Sequence, residues 1–178
     1  MASKIDIISN AHLLLGDSTK ASVSESIVGA NLYDSTYESL LTSYRWRFAS
    51  KKLTLARLTE EPLNQYNYQF QLPADFLYLT KTDSSDYEIY GDKVYSNSTT
   101  MEVDYIFKVT EDKLPAYVVK TLELFLAAQF AIPVTGSKDL ASLYFGMYRD
   151  SLRIAKFTDA SQRPPDEVES SPYTDVRY

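Results

Sequence analysis

Apolar residues recur at helical spacing through the first 48 positions, alternate from about 50 to 109, and return to helical spacing from about 115 to 158. In the opening segment Ile5, Ile8, His12 and Leu15 fall on one stripe. Ser3 stands at its start, and Gly16 sits where a left-handed residue ends a helix of about three turns. The stretch SVSE at 22–25 has the Ser-x-x-Glu spacing of a capping box, in which each side chain satisfies a backbone N–H that the first turn leaves unpaired. Beyond it Tyr33, Tyr37, Leu40, Leu41, Tyr44 and Phe48 share one continuous face, which predicts a long helix running to about Arg47.

The period then changes to two. KLTLAR alternates through Leu53 and Leu55, YNYQFQL through Tyr66, Tyr68, Phe70 and Leu72, and MEVDYIF through Met101, Val103, Tyr105 and Phe107. LPADFLYLTK is a proline-punctuated corner entering another strand, and EIYGDKVYS is a hairpin with Gly91-Asp92 at its tip. About five short antiparallel strands in a small sheet or barrel are expected here.

Helical spacing resumes with Pro115 at the first helical position and Pro133 just beyond the end. Between Leu122 and Ile132 only Glu123 and Gln129 are polar, and a helix apolar on nearly all sides must be buried on nearly all sides, in a bundle or against another subunit. Ser137 caps a fourth helix with Leu140, Leu143, Tyr144 and Met147 on its inner face, running to about Thr158. From Asp159 onward neither period is present and three of the chain's seven prolines occur. That segment reads either as a tail that orders on a partner through Tyr173, Val176 and Tyr178 or as a frayed terminus. The expected fold is α+β: an antiparallel bundle of about four helices from 1–48 and 110–158, a small antiparallel β domain inserted at 49–109, and an extended C-terminal tail at 159–178.

Composition narrows the chemistry. The absence of cysteine excludes disulfides, thiolate metal clusters and cysteine nucleophiles. A net charge of -6 argues against coating DNA by charge neutralisation. The apolar runs fall short of the ~20 residues that span a bilayer, and the N-terminus lacks a signal-peptide pattern, so a soluble protein made in a cytoplasm is expected. His12 is the sole histidine, no Gly-x-Ser-x-Gly, Walker loop or GxGxxG occurs, and DSSD at 83–86 alone specifies neither calcium nor acid-base work. No enzyme activity, cofactor or metal is expected.

The remaining peculiarity is YRWRFASKK at 44–52. It reads either as a helix end whose cations Arg45, Arg47, Lys51 and Lys52 complement the dipole, with Trp46 and Phe48 anchoring a corner, or as a small nucleic-acid site. Fifteen tyrosines suit surfaces buried on assembly, and equally suit β-rich segments.

The order of these features carries a resemblance. ISNAHLLLGD with the helix after it, Trp46 and Phe48 in RWRF, Leu72, Pro73, Asp75 and Phe76 in LPADF, and Leu114-Pro115 with FLAAQFAIPVTGSKDL follow one another over residues 5–158. In this set the chain resembles the tail tubular protein A family, the head-to-tail adaptors of short-tailed bacteriophages. The C-terminal helix and tail are also similar to head-completion connectors of longer-tailed phages. The resemblance implies a virion tail protein, assembled in the host cytoplasm into a twelve-fold ring between the portal and the tail nozzle, with DNA passing through the lumen without specific binding and no membrane involved. It further implies that Arg163, Pro164, Pro165, Tyr173 and Tyr178 bind the portal or a neighbouring subunit. The hairpin Tyr90, Gly91, Asp92 and Lys93 would face the nozzle or fibres, and Trp46, Phe48, Pro73 and Asp75 would form a structural corner.

Overall fold

The structure, a computed structural model, describes residues 2–63 and 65–162. Four helices, α1 (Lys4–Leu14), α2 (Ile27–Thr42), α3 (Ala116–Thr135) and α4 (Lys138–Ala160), enclose an insertion of seven short strands. Ser3 caps α1 in a true capping box: its hydroxyl accepts from the Asp6 N–H at 3.2 Å and its own N–H donates to the Asp6 carboxylate at 3.0 Å. The box expected at Ser22 does not form. Residues 23–25 make a single 3-10 turn, Glu25 reaches one residue further back to the Ala21 N–H, and Ser26 caps α2 by accepting from Gly29 at 2.9 Å.

Helix α2 also stops earlier than its apolar spacing predicts. The Leu40 carbonyl accepts from the Ser43 hydroxyl at 2.7 Å and from Trp46 Nε1 at 3.0 Å, and the Thr42 hydroxyl also reaches the Ser39 carbonyl at 3.3 Å. Side-chain donors thus satisfy carbonyls that another helical turn would have used, and residues 44–48 become a turn rather than helix.

At α3 both prolines sit differently from expectation, Pro115 by one residue. Pro115 is the N-cap, not the first helical residue, and Pro133 lies inside the helix, which closes at Gly136 (φ 71°) with the Gly136 N–H on the Ile132 carbonyl at 2.9 Å. In a last turn a proline forfeits a single hydrogen bond, and the left-handed Gly136, three residues later, caps the helix. By length and hydropathy α3 could cross a bilayer. It instead packs against α1, α2 and α4, with Leu122, Leu126 and Phe130 in the main core beside Tyr33, Leu40 and Trp46. Its buried Glu123 accepts from Asn10 at 2.7 Å.

The strands form two antiparallel sheets, more than the one small sheet or barrel expected. One has β1 (Ser50–Thr54), β7 (Glu102–Phe107) and β4 (Phe76–Thr82) in that order; the other has β2 (Ala56–Arg57), β3 (Tyr68–Gln71), β6 (Lys93–Ser96) and β5 (Tyr87–Tyr90). The chain changes sheets at buried Leu55, whose N–H bonds the Met101 carbonyl. That break in the strand leaves Leu53 facing solvent, although simple alternation places it with Leu55. Phe70, Val94, Met101, Val103 and Tyr105 fill a second core between the sheets, Ile106 on the opposite face of β7 enters the helical core, and Phe107 packs against both. The insertion is thereby locked to the bundle through β7.

Candidate docking surfaces

The corner around Trp46 is a structural junction. Its indole is buried, edge-on to Tyr44 at 5.1 Å and 5.7 Å from Phe48. The turn LPADF joins β3 to β4, with the Pro73 carbonyl accepting from the Phe76 N–H. Its Asp75 binds Lys51 of β1 at 2.5 Å and the Tyr105 hydroxyl of β7 at 3.1 Å. Desolvation pushes the Asp75 carboxyl up, but Lys51 and Tyr105 outweigh it and hold the group below the ordinary value. Burial, and then Asp75, push the Tyr105 hydroxyl up to about 12. The four corner residues thus flank β1: Trp46 and Phe48 precede it, and Asp75, in the turn that Pro73 begins, grips it.

The cations of the corner are not at a helix end, because α2 stops at Thr42. Arg45 pairs with Asp104 at 3.0 Å, Lys51 with Asp75, and Lys52 with Glu102 at 3.1 Å. Tyr44, Arg45, Arg47 and Ser50 line a shallow cleft beside them. The backbone N–H of Arg47 donates to the Asp159 carboxylate at 2.9 Å, and the other oxygen of Asp159 accepts from the Tyr117 hydroxyl at 3.0 Å. Asp159 is fully buried in the last turn of α4, not the first residue of an extended tail; the helix continues to Ala160 because this carboxylate has two donors waiting for it.

At the hairpin, Gly91 takes φ 60° in the two-residue loop between paired Tyr90 and Lys93. Tyr90 is 58% exposed. The tip is fastened, however: the Asp92 carboxylate accepts from Gln71 Nε2 at 3.0 Å, and its carbonyl accepts from the Leu72 N–H at 2.9 Å. The Gln71 amide, and then the backbone, hold the Asp92 carboxyl low. Lys93 lies 3.8 Å from Glu60. The hairpin is an anchored, aromatic-edged surface.

The surface that sequence reasoning missed is on α4. Tyr148 stacks on Phe125 at 4.2 Å, Ser151 bonds Thr121 at 2.7 Å, and Tyr144 reaches the Leu14 carbonyl, so the inward row is Tyr144, Tyr148, Ser151, Ala155 and Asp159. Leu143 and Met147, expected inside, face solvent together with Phe145, Ile154 (61% exposed) and Phe157 (76%). The signal was present: α4 carries enough apolar residues for two stripes, and only one can face α3. Met147 and Ile154 line an apolar groove with Tyr117 and Leu124 of α3, rimmed by Lys120 and Asp150.

His12, the one histidine, is a buried tie. Its Nδ1 donates to Asp17 at 2.9 Å, its Nε2 shares a hydrogen bond with the Ser26 hydroxyl at 2.6 Å, and its ring lies 5.2 Å from Phe130. Among the described residues no three histidine or acidic side chains cluster as metal ligands. The docking residues expected in the tail, Arg163, Pro164, Pro165, Tyr173 and Tyr178, lie outside the described residues. Compared with known proteins, the chain matches no protein-family profile and no curated sequence.

Proposed function

We propose that this protein is a structural adaptor of a bacteriophage virion, a ring-forming subunit that joins the portal to the tail nozzle around the DNA channel. The observation that carries this reading is the outer face of α4, where Leu143, Met147, Ile154 and Phe157 stand in solvent on a helix whose opposite side is already packed. Exposed apolar stripes of this kind are characteristic of surfaces that close on assembly. The adaptor reading also draws on the resemblance of the ordered residue set to head-to-tail adaptors. The charge of -6 accords with a conduit whose average repulsion of phosphate keeps passing DNA from sticking. Within this reading the C-terminal residues dock on the portal or a neighbour, the Tyr90–Lys93 hairpin faces the nozzle or fibres, and no catalytic step occurs. A connector of a longer-tailed phage is the variant of the same role with a different tail below it.

The test is sedimentation of the purified protein alone and with the portal encoded beside it. A shift of the portal to a larger ring-bearing species is expected; an intact portal that sediments unchanged refutes the adaptor role. The competing nucleic-acid reading of Arg45-Trp46-Arg47 is disfavoured by the carboxylate partners of Arg45, Lys51 and Lys52, which already neutralise most of that patch. Salt-sensitive DNA binding that weakens when Arg45 and Arg47 are neutralised would restore it.

A further inference from the structure

Along the outer side of α4, Leu143, Met147, Asp150, Ile154 and Phe157 recur at alternating intervals of four and three residues, the period of a helix that packs along another helix. All five stand in solvent. Gly146 lies beside this row, inside the helix, where glycine is a poorer choice than alanine, yet an added Cβ would meet nothing within 4 Å among the described residues. Packing within the described chain therefore gives no reason for it. Together with Arg149, Asp150 and Arg153, Gly146 lines a shallow notch of about 380 Å³, open to a bulky side chain from outside. We propose that two copies of this chain pair through this face, α4 against α4 in antiparallel sense about a two-fold axis, with Phe157 of each copy seated over Gly146 of the other.

Size, charge and area select a second copy. Turned end for end about the level between Ser151 and Leu152, the helix brings Phe157, 76% exposed, opposite the Gly146 notch and Arg153 opposite Asp150. Within one chain Asp150 and Arg153 lie 3.6 Å apart in open solvent, a pairing worth little. Between two copies the same residues make two symmetric cross-pairs at the edge of an apolar contact, where water screens them less. A parallel pair would instead set Asp150 on Asp150 and leave both notches empty. The exposed parts of Leu143, Met147, Ile154 and Phe157 amount to roughly 450 Å² per copy, so a pair with its charged rim reaches about 1,000 Å², the lower end for a specific interface. The dimer is thus weak and reversible. It needs only this chain and stands apart from the adaptor reading; a two-fold pair is closed, so it precedes a ring rather than building one.

Sedimentation equilibrium of the full-length protein alone, over a range of concentrations, should show monomer and dimer in exchange. Asp150→Arg and Arg153→Asp sit at exposed positions that spare the core, so circular dichroism should stay unchanged. Each variant alone should loosen the dimer about tenfold, because like charges then meet across the axis. An equimolar mixture of the two should associate about as tightly as the parent, since every cation of one chain faces a carboxylate of the other. Gly146→Leu fills the notch and should also loosen the dimer about tenfold, although it favours the helix. A chain that is monomeric at every concentration, an open series of larger species, a mixture no tighter than its components, or tighter association with Gly146→Leu would each overturn the proposal.

Discussion

Replacing Asp159 by asparagine tests how the bundle, the Trp46 corner and the end of α4 are held together. The carboxylate accepts two hydrogen bonds from one buried position, from the Arg47 N–H at 2.9 Å and the Tyr117 hydroxyl at 3.0 Å. Asparagine has nearly the same shape but a single acceptor oxygen, so one donor must face an NH2 group. Losing that bond and leaving a buried donor unmet costs about 1–3 kcal/mol, partly offset because the charge no longer has to be desolvated. A net loss of about 2 kcal/mol is expected. With a urea slope of about 2 kcal/mol/M for a chain of this size, the unfolding midpoint should fall by about 1 M. Burial, and then the hydrogen bond to Asp159, push the Tyr117 hydroxyl up to about 12, which makes it the natural partner for a double-mutant cycle. Tyr117→Phe alone should cost about 1 kcal/mol, and the pair should fall short of additivity by about 1 kcal/mol. An Asp159→Asn protein within 0.5 kcal/mol of the parent, or a strictly additive pair, would refute the idea that this carboxylate holds the corner (both thresholds set by ordinary surface and additivity scatter, about 0.5 kcal/mol).

Three further outcomes follow from the same geometry. Ser26→Ala removes the α2 cap and strips His12 Nε2 of its partner, so chemical denaturation should show a loss of about 2 kcal/mol. Gly29→Ala should destabilise by about 1–3 kcal/mol despite better helix propensity, because the new Cβ would sit 2.7 Å from Ile8 Cγ2 and from the Ser26 hydroxyl oxygen; a more stable protein by thermal melting would contradict this. The Ser18 N–H first, then Lys20, and also His12 hold the Asp17 carboxyl down to about 2 from 3.8. Its contribution is therefore complete above pH 3.8 and is lost as pH falls through about 2, so Asp17→Asn should flatten the acid limb of the stability curve in that window, read by denaturation at each pH.

Much of the architecture was legible from spacing. The helical-alternating-helical succession, the Ser137 cap, the Gly91-Asp92 hairpin tip and the strand rows through Phe70 and Val103 all follow from local periodicity and turn chemistry, and the structure has them. The burial of α3 was equally readable, since a helix without a polar face has no stable place at a surface. The candidate docking surfaces were less so. The exposed hairpin tip was visible, but its fastening to Gln71 and Leu72 was not, because those contacts cross from one strand pair to the next loop.

Sequence alone thus determined the succession of helical and strand segments along the chain, because backbone propensity and apolar period act over a few neighbouring residues. Tertiary structure decided where those segments stop and what they face. Helix α2 ends at Thr42 because Trp46 folds back onto the Leu40 carbonyl, and α4 runs through Asp159 because Arg47 and Tyr117, 112 and 42 positions away, donate to it. With two apolar stripes available on α4, packing against α3 buried Tyr148 and Ala155 and left Met147 and Ile154 outside. A local pattern gives each stripe an equal claim to the core; only the shape of the neighbouring helix chooses between them.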